Sequence, residues 1–397
     1  MNDLESFKNE LISYNSIQTI KRPRGYSSSK LQADENSVTY NGIIDTSKTI
    51  NDIIPLLASM PKYYGIFEIV NGKLTFIGTD INKQEWAAEI GIEVKKLTGP
   101  LLATGMTAKK WNGSSWVTVA DPYTDTTWYN YENKEWANAQ TADGSMWVWI
   151  PRYEYKITTP HTSTEQTILV NLLDDTSTSA TSGYTINPAF TFGTVELTGI
   201  WVAKFEAGGS KDAVDIKPGI TSLSLLFLGE MFEACRDMET YDGAKYGWGT
   251  SGVGIDTHLM KNTEWGAVAY LSSSAYGKTG EVWINPNSDM LTGQAGTSAS
   301  VPRTTSTYAY DDLTYGVNAS TTGNIYGIYD MIGGLAEQVA AYMNNSSDSL
   351  TYYGPNLLSA ESKYKKIYIH QVEEIQNLKI IQRHLKKKEM QYMKHLV

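Results

Sequence analysis

The chain has 397 residues, of which 41% are hydrophobic and 19% charged, and a formal net charge of −10. This balance suits a soluble globular chain of two or three domains and argues against nucleic acid as the main partner. No stretch approaches the roughly 18 apolar residues of a membrane span, no charged-then-apolar leader opens the chain, and a single cysteine, Cys235, excludes a disulfide framework and a thiolate-rich zinc site.

In chain order, residues 1–25 read as an N-terminal helix and linker, broken at Pro23 and Gly25. Residues 26–97 read as a small α+β domain. SVTYNGII is a predicted strand and INDIIPLLASM a short helix interrupted by Pro55. YYGIFEIVNGKLTFIG is a hairpin around Asn71-Gly72, the strongest short hairpin signal, and NKQEWAAEIGI is a closing helix. Residues 98–145 form a Trp-rich β-hairpin segment: six of the 11 Trp lie between Trp111 and Trp149, spaced as cross-strand pairs usually are. The same rings could stack on sugars, since indole pairs a flat apolar face with a polar edge.

The next domain, 146–360, is Gly-rich and poor in continuous helix. MWVWIPRYEYKI and GIWVAKFEAGG are predicted strands. LGEMFEACRDME is a helix with Phe232, Cys235 and Met238 on one face, and NTEWGAVAYLSSS a second helix capped by Asn262 or Thr263. Long loops carrying Trp248, Tyr308 and Tyr310 run between and after them; loops of such length are functional or disordered.

The stretch 361–397 differs in charge. It holds eight Lys and one Arg against four Glu, net +5, leaving −15 for residues 1–360, and it contains no Gly. At face value VEEIQNLKIIQRHLKKK is a basic amphipathic helix suited to a membrane surface or a partner helix. Back-translated and shifted by one nucleotide, the passage from His370 gives a Gly-, Ser- and Thr-rich product like the chain before Ala360. This basic tail is therefore read as a frameshifted or non-native end.

Most chemical motifs fail on context. Gly247-x-Gly249-x-x-Gly252 lacks the flanking strand and helix of a dinucleotide site, and Gly277-Lys278-Thr279 follows Ser272 where a phosphate loop needs Gly. Five scattered His give no metal spacing; His258, near Asp256 and Glu264, reads as an exposed or capped loop residue. Asp174-Asp175 and Asp311-Asp312 read as turn acids. Structural calcium is the one metal expectation left open, with Asp311, Asp312 and Asp330 nearest. Cys235, on an apolar helix face, reads as inert.

One segment goes further. NIYGIYDMIGGLAEQVAAY resembles the signature N-x-x-G-L-Y-D-M-x-G-N-V-x-E-W of the formylglycine-generating enzyme/sulfatase-modifying-factor family. Asn324, Gly327, Tyr329, Asp330, Met331, Gly333 and Glu337 match it. GIWVAKFEAGG is similar to the family's K-(Y/F)-E-V-T strand and KNTEWGAVAYL to its P-T-E-A-E-W-E-Y-A-A helix, in the same order, so the likeness covers about Met146 to Tyr353. Gly334 replaces the usual Asn, while Ala336 and Gln338 stand where Trp is usual. The resemblance implies a C-type-lectin-like fold of short strands, two helices and much irregular structure. It is closest to secreted or prophage-associated members that display ligand-binding loops without catalysis. The oxidase members need two late cysteines, which this chain lacks, so no catalytic residues and no cofactor are expected. The family's closing R-G-G-S-W strand has no counterpart after Tyr353. An open sheet edge and a marginal or aggregation-prone chain are therefore expected.

The expected fold is thus α+β, a C-type-lectin-like domain preceded by a small α+β domain. The expected function is non-enzymatic binding of a surface glycan or protein, in an extracellular, cell-surface or phage-particle setting. Trp248, Trp283, Tyr308, Tyr310 and Tyr315 are the candidate ligand-binding residues, and core packing is the competing role for each. A divergent enzyme of the same family and a pilin-like or virion surface subunit are the alternatives.

Overall fold

In the computed structural model of the chain, the described residues are the strands 66–70, 73–78 and 93–96, and residues 99–369 apart from 104, 121, 123–124, 159–167, 175, 240–242, 249–254 and 345–347. The chain divides into two units, 1–101 with 174–176, and 102–173 with 177–397. Both α-helices and small, mostly antiparallel sheets are present, an α+β architecture.

In the first unit β1 (Ile66–Val70) and β2 (Lys73–Gly78) pair antiparallel with Val70 opposite Lys73, the strand pair that the sequence predicts. The third strand, β3 (Glu93–Lys96), runs parallel to β2. The strand and helices expected in SVTYNGII, INDIIPLLASM and NKQEWAAEIGI lie outside the described residues, as does the 1–25 helix.

The second unit is organised by a five-stranded antiparallel sheet. In spatial order it runs β13 (Gly199–Ala203), β7 (Met146–Pro151), β6 (Asn138–Gln140), β4 (Thr107–Trp111) and β5 (Trp116–Thr118). The Trp-rich stretch 98–145 is therefore not a separate segment: its strands complete the sheet that β7 and β13 begin. Trp111 and Trp116 are the predicted cross-strand pair, in register and edge-to-face at 5.6 Å. Trp128 and Trp136 are buried, and their indole N–H groups donate to Asn138 O and Tyr276 O at 3.0 and 2.9 Å. The outermost strand on one side is β13.

MWVWIPRYEYKI, expected as one strand, is two. The chain leaves the central sheet at Pro151 and enters a second sheet, in which β8 (Tyr153–Ile157) lies between β9 (Ile168–Leu172) and β10 (Thr185–Ile186). The corner is Arg152, fully buried. Its guanidinium donates to the carbonyls of Phe190, Leu197 and Ser177 and pairs with Glu196 at 2.8 Å. That cation collects carbonyls from the loops that fold over both sheets, including those flanking the small hairpin β11 (Thr191–Phe192) and β12 (Val195–Glu196).

Two short strands, β14 (Gly208–Ser210) and β15 (Ala213–Asp215), precede α1 (Leu228–Asp237). Phe232 and Met238 of this helix are buried as its periodicity predicts, whereas Cys235 is half-buried. The one-turn helix α2 (Gly243–Tyr246) follows, then α3 (Asn262–Ser272). The cap of α3 is Lys261, not Asn262 or Thr263: Glu264, in the first turn, reaches back to accept the Lys261 N–H at 2.7 Å. Ala267, Val268 and Leu271 of α3 enter the main core, where the Tyr153 hydroxyl donates to Ala267 O at 2.7 Å.

After the bridge pair β16 (Gln294–Ala295) and β17 (Tyr308–Ala309), β18 (Ala341–Asn344) pairs in parallel with β19 (Lys366–Ile369), and α4 (Ser349–Tyr353) and α5 (Pro355–Ser359) lie between them. A division at 360/361 therefore falls inside the fold. Tyr364 is buried with Phe232, Ala340 and Leu357, so residues 361–369 belong to the packed unit. The frameshift reading, from His370 onward, lies outside the described residues.

Candidate functional site

Lys204, Phe205 and Glu206 continue from the end of β13 and meet the Asn324–Glu337 segment. Lys204 is fully buried; its Nζ donates to Ile325 O at 2.7 Å and Gly327 O at 2.8 Å and lies 4.9 Å from the Trp116 ring. Burial holds its pKa well below the ordinary lysine value. Phe205 stacks on Tyr329 at 5.4 Å, and Tyr329 N donates to Lys204 O at 2.9 Å.

Asp330 adopts a left-handed conformation, φ 63°, at the centre of this junction. Its carboxylate accepts from Asn285 Nδ2 at 2.8 Å, from Gly293 N at 2.9 Å and from Glu206 N at 3.3 Å. Glu206 accepts from the Ser222 hydroxyl and from Leu335 N, the latter at 3.0 Å. Burial, then the nearby Asp330 and Glu337 charges, push the Glu206 pKa far above the ordinary glutamate value, and burial raises Asp330 as well. From the other side Trp265 of α3 donates its indole N–H to Glu337 at 2.7 Å. The three stretches that carry the sequence resemblance thus interlock through named side chains.

Two glycines of the segment have geometric reasons. A Cβ on Gly327 would stand 2.3 Å from Ser320 Oγ and 2.6 Å from Thr321 Oγ1. Gly334, the position that departs from the usual Asn, has φ +65°, and a Cβ there would lie 2.5 Å from a Glu206 oxygen. The Glu206 carboxylate occupies the space of the missing side chain. Among the other matched residues, Asn324 donates from Nδ2 to Lys134 O at 3.0 Å and accepts Tyr326 N at 2.9 Å, Met331 packs against the main core, and Asn285 pairs as a β-bridge with Gly333. Ala336 is exposed and Gln338 half-buried.

The five candidate aromatics divide. Trp248 is 6% exposed, stacks on Tyr246 at 4.6 Å and donates Nε1–H to Met238 O at 2.8 Å. Tyr310 packs edge-on to Phe205 at 5.2 Å and Tyr329 at 5.8 Å, and its carbonyl accepts the Tyr329 hydroxyl. Trp248 belongs to the second core cluster and Tyr310 packs against it, as Trp283 does at its edge. Trp283, Tyr308 at the start of β17, and Tyr315 come together: Tyr308 and Tyr315 stack at 4.4 Å and Trp283 lies 6.3 Å from Tyr315, each ring half-buried. The Asp312 carboxylate fixes this turn by accepting the N–H groups of Thr314 and Tyr315 at 2.8 Å.

Lys278, considered from the sequence only as the end of a failed phosphate loop, stands 5.3 Å over the Trp283 ring. Its Nζ donates to Asn318 O at 2.5 Å, and burial depresses its pKa to about 8. The sequence reading also passes over Phe227, Tyr352 and Tyr353, which form an exposed aromatic patch at the start of α1 and on α4. The patch joins residues far apart in the chain, brought together as α5 packs against both α1 and α4, which no local pattern announces.

The calcium candidates are not assembled. Asp330 gives its oxygens to amides, Asp312 holds its own turn, and among the described residues no three His, Cys, Asp or Glu are grouped to hold a metal ion. Burial pushes the Cys235 thiol up to about 12, so it stays protonated at neutral pH. No helix among the described residues is long and apolar enough to cross a membrane. In comparisons with known proteins, no family model matches the chain and no curated protein matches it.

Proposed function

We propose that the chain is a non-enzymatic binding and display protein with a C-type-lectin-like fold, related to the formylglycine-generating enzyme/sulfatase-modifying-factor family and acting at a cell or phage surface. The observation that carries the reading is the cluster of Trp283, Tyr308 and Tyr315. Trp283 packs against the core cluster that holds Phe205 and Tyr329 of the junction, and Tyr308 and Tyr315 stand beside it as partly open rings. Such rings offer apolar faces to the C–H side of a sugar or to an apolar side chain, with hydroxyl and indole edges for hydrogen bonds. The junction supports the reading because the residues that match the signature spend their polar groups on holding the loops in place.

Each stacked ring contributes about 1 kcal/mol beyond area burial, so single sites bind weakly and useful avidity comes from multivalent display. The test is binding of the full chain to arrays of surface glycans and surface proteins, for wild type and Trp283→Ala. A defined set of ligands, bound about tenfold more weakly by the variant, is expected. Absence of any binding, or equal binding by both proteins, would overturn the reading.

A further inference from the structure

His258 sits where five parts of the fold meet. Its ring stacks on Phe192 of β11 at 5.0 Å and 24° and lies 5.9 Å from Tyr364. Nδ1 faces the Asp256 carbonyl at 3.2 Å, and Nε2 faces both oxygens of the Glu264 carboxylate at 3.2 Å. Both ring nitrogens therefore point at oxygen acceptors. A neutral imidazole has one N–H, and here it would have to aim its lone pair at a carbonyl or a carboxylate. Only the imidazolium satisfies both contacts.

The charges around the ring come from every element packed on it. At the start of α3, Glu264 is 3% exposed and also accepts from Lys261, through its N–H at 2.7 Å and its Nζ at 3.1 Å. The Lys261 Nζ donates onward to Lys363 O at 3.0 Å. From the loop before the ring, Asp256 accepts from Lys363 at 3.2 Å and from the Tyr364 hydroxyl at 3.1 Å, both on the C-terminal turn. From α1, Arg236 pairs with Asp256 at 2.7 Å and with Glu239 at 2.8 Å, and it covers the Tyr364 ring at 4.2 Å. The next residues, Leu259 and Met260, pack into different core clusters, and Met260 O accepts the Ala340 N–H beside β18.

We propose that His258 is a proton-operated latch: as imidazolium it ties the 255–260 loop to the N-terminus of α3 and thereby locks the C-terminal layer, residues 361–369, onto α1 and β11. Loss of the proton leaves Glu264 held by Lys261 alone and turns a ring lone pair toward an acceptor, which loosens that layer. Burial works against the charged ring, but the Glu264 charge and hydrogen bond and the Asp256 carbonyl outweigh it, with Lys261 opposing, so the pKa lies above the ordinary value. A folded-state pKa raised in this way gives stabilisation that is complete below the ordinary histidine value and is lost as pH rises through the raised one. The latch is closed in mildly acidic solution and opens toward the alkaline side.

The test uses the full chain in two measurements: an NMR pH titration of the His258 ring, identified by its loss in His258→Gln, and amide exchange of peptides 255–264 and 361–369 between about pH 5.5 and 8.5, corrected for intrinsic exchange. The expected midpoint lies above about 6.5. Protection of both peptides should fall about tenfold as pH rises across that midpoint, while peptide 146–151 stays protected. Glu264→Gln, which keeps an oxygen for the Lys261 N–H, should bring the midpoint down to or below the ordinary value and flatten the step; it serves if His258→Gln does not fold. A ring titrating at or below the ordinary value in wild type, or protection without a step at the ring's midpoint, would overturn the proposal.

Discussion

Gly334 shows how a single atom's space can set a residue. Its φ of +65° and the Glu206 oxygens at the position of a Cβ leave no room for a side chain. Gly334→Ala is expected to cost about 1–3 kcal/mol in denaturant unfolding, through strain and displacement of Glu206. Glu206 itself takes up a proton on folding, because burial and the Asp330 charge raise its pKa. A raised carboxyl stabilises fully below the ordinary glutamate range, and that contribution is lost as pH climbs through the folded-state value. In its protonated form the carboxyl can donate to Ser222 Oγ, which in turn donates to Met290 O at 3.1 Å. Glu206→Gln preserves this pattern without a titrating proton. Its unfolding free energy should stay within about 1 kcal/mol of wild type near pH 5 and exceed wild type by about 1–2 kcal/mol near pH 8. A parallel pH dependence in the two proteins would show that Glu206 is ionised in the fold.

At the scale of elements, the turn chemistry and periodicity were readable. Asn71-Gly72 marks the β1–β2 hairpin, Phe232 and Met238 mark the inner face of α1, and the Trp111 and Trp116 spacing marks a cross-strand pair. The corner at Arg152 was not, because MWVWIPRYEYKI is apolar and aromatic on both sides of it and alternation alone does not show where a strand changes sheets. What makes the corner is tertiary: three carbonyls and Glu196 converge on one guanidinium. Arg152→Lys keeps the charge but not the planar fork, and Arg152→Ala removes the donor shared by the three carbonyls and Glu196, of which Phe190 O keeps the Leu197 N–H and Glu196 keeps the Thr191 hydroxyl. Thermal or denaturant unfolding should show a loss of about 3–5 kcal/mol for Arg152→Ala and a smaller loss for Arg152→Lys. A neutral effect of both would mean that water replaces the guanidinium.

Across the whole molecule, the sequence could not divide the candidate aromatics. Trp248 and Trp283 both lie in Gly-rich stretches. Trp248 is closed in by Met238 and Tyr246, whereas Trp283 lies at the edge of the same core cluster, beneath Lys278 and beside Tyr315, and neither arrangement shows in the local pattern. Glu206, perturbed first by burial and then by Asp330 and Glu337, and the Phe227, Tyr352 and Tyr353 patch depend on residues distant in the chain. Asp330 and Gly333 take positive φ, a local backbone need that Asp and Gly meet more readily than most residues. The most direct measurement of the binding account is hydroxyl-radical footprinting of the full chain with and without its strongest array ligand. Protection confined to Trp283, Tyr308 and Tyr315, with Trp248 and Tyr310 unchanged, is the predicted result. Protection of Phe227, Tyr352 and Tyr353 in their place, or of no aromatic at all, would contradict it.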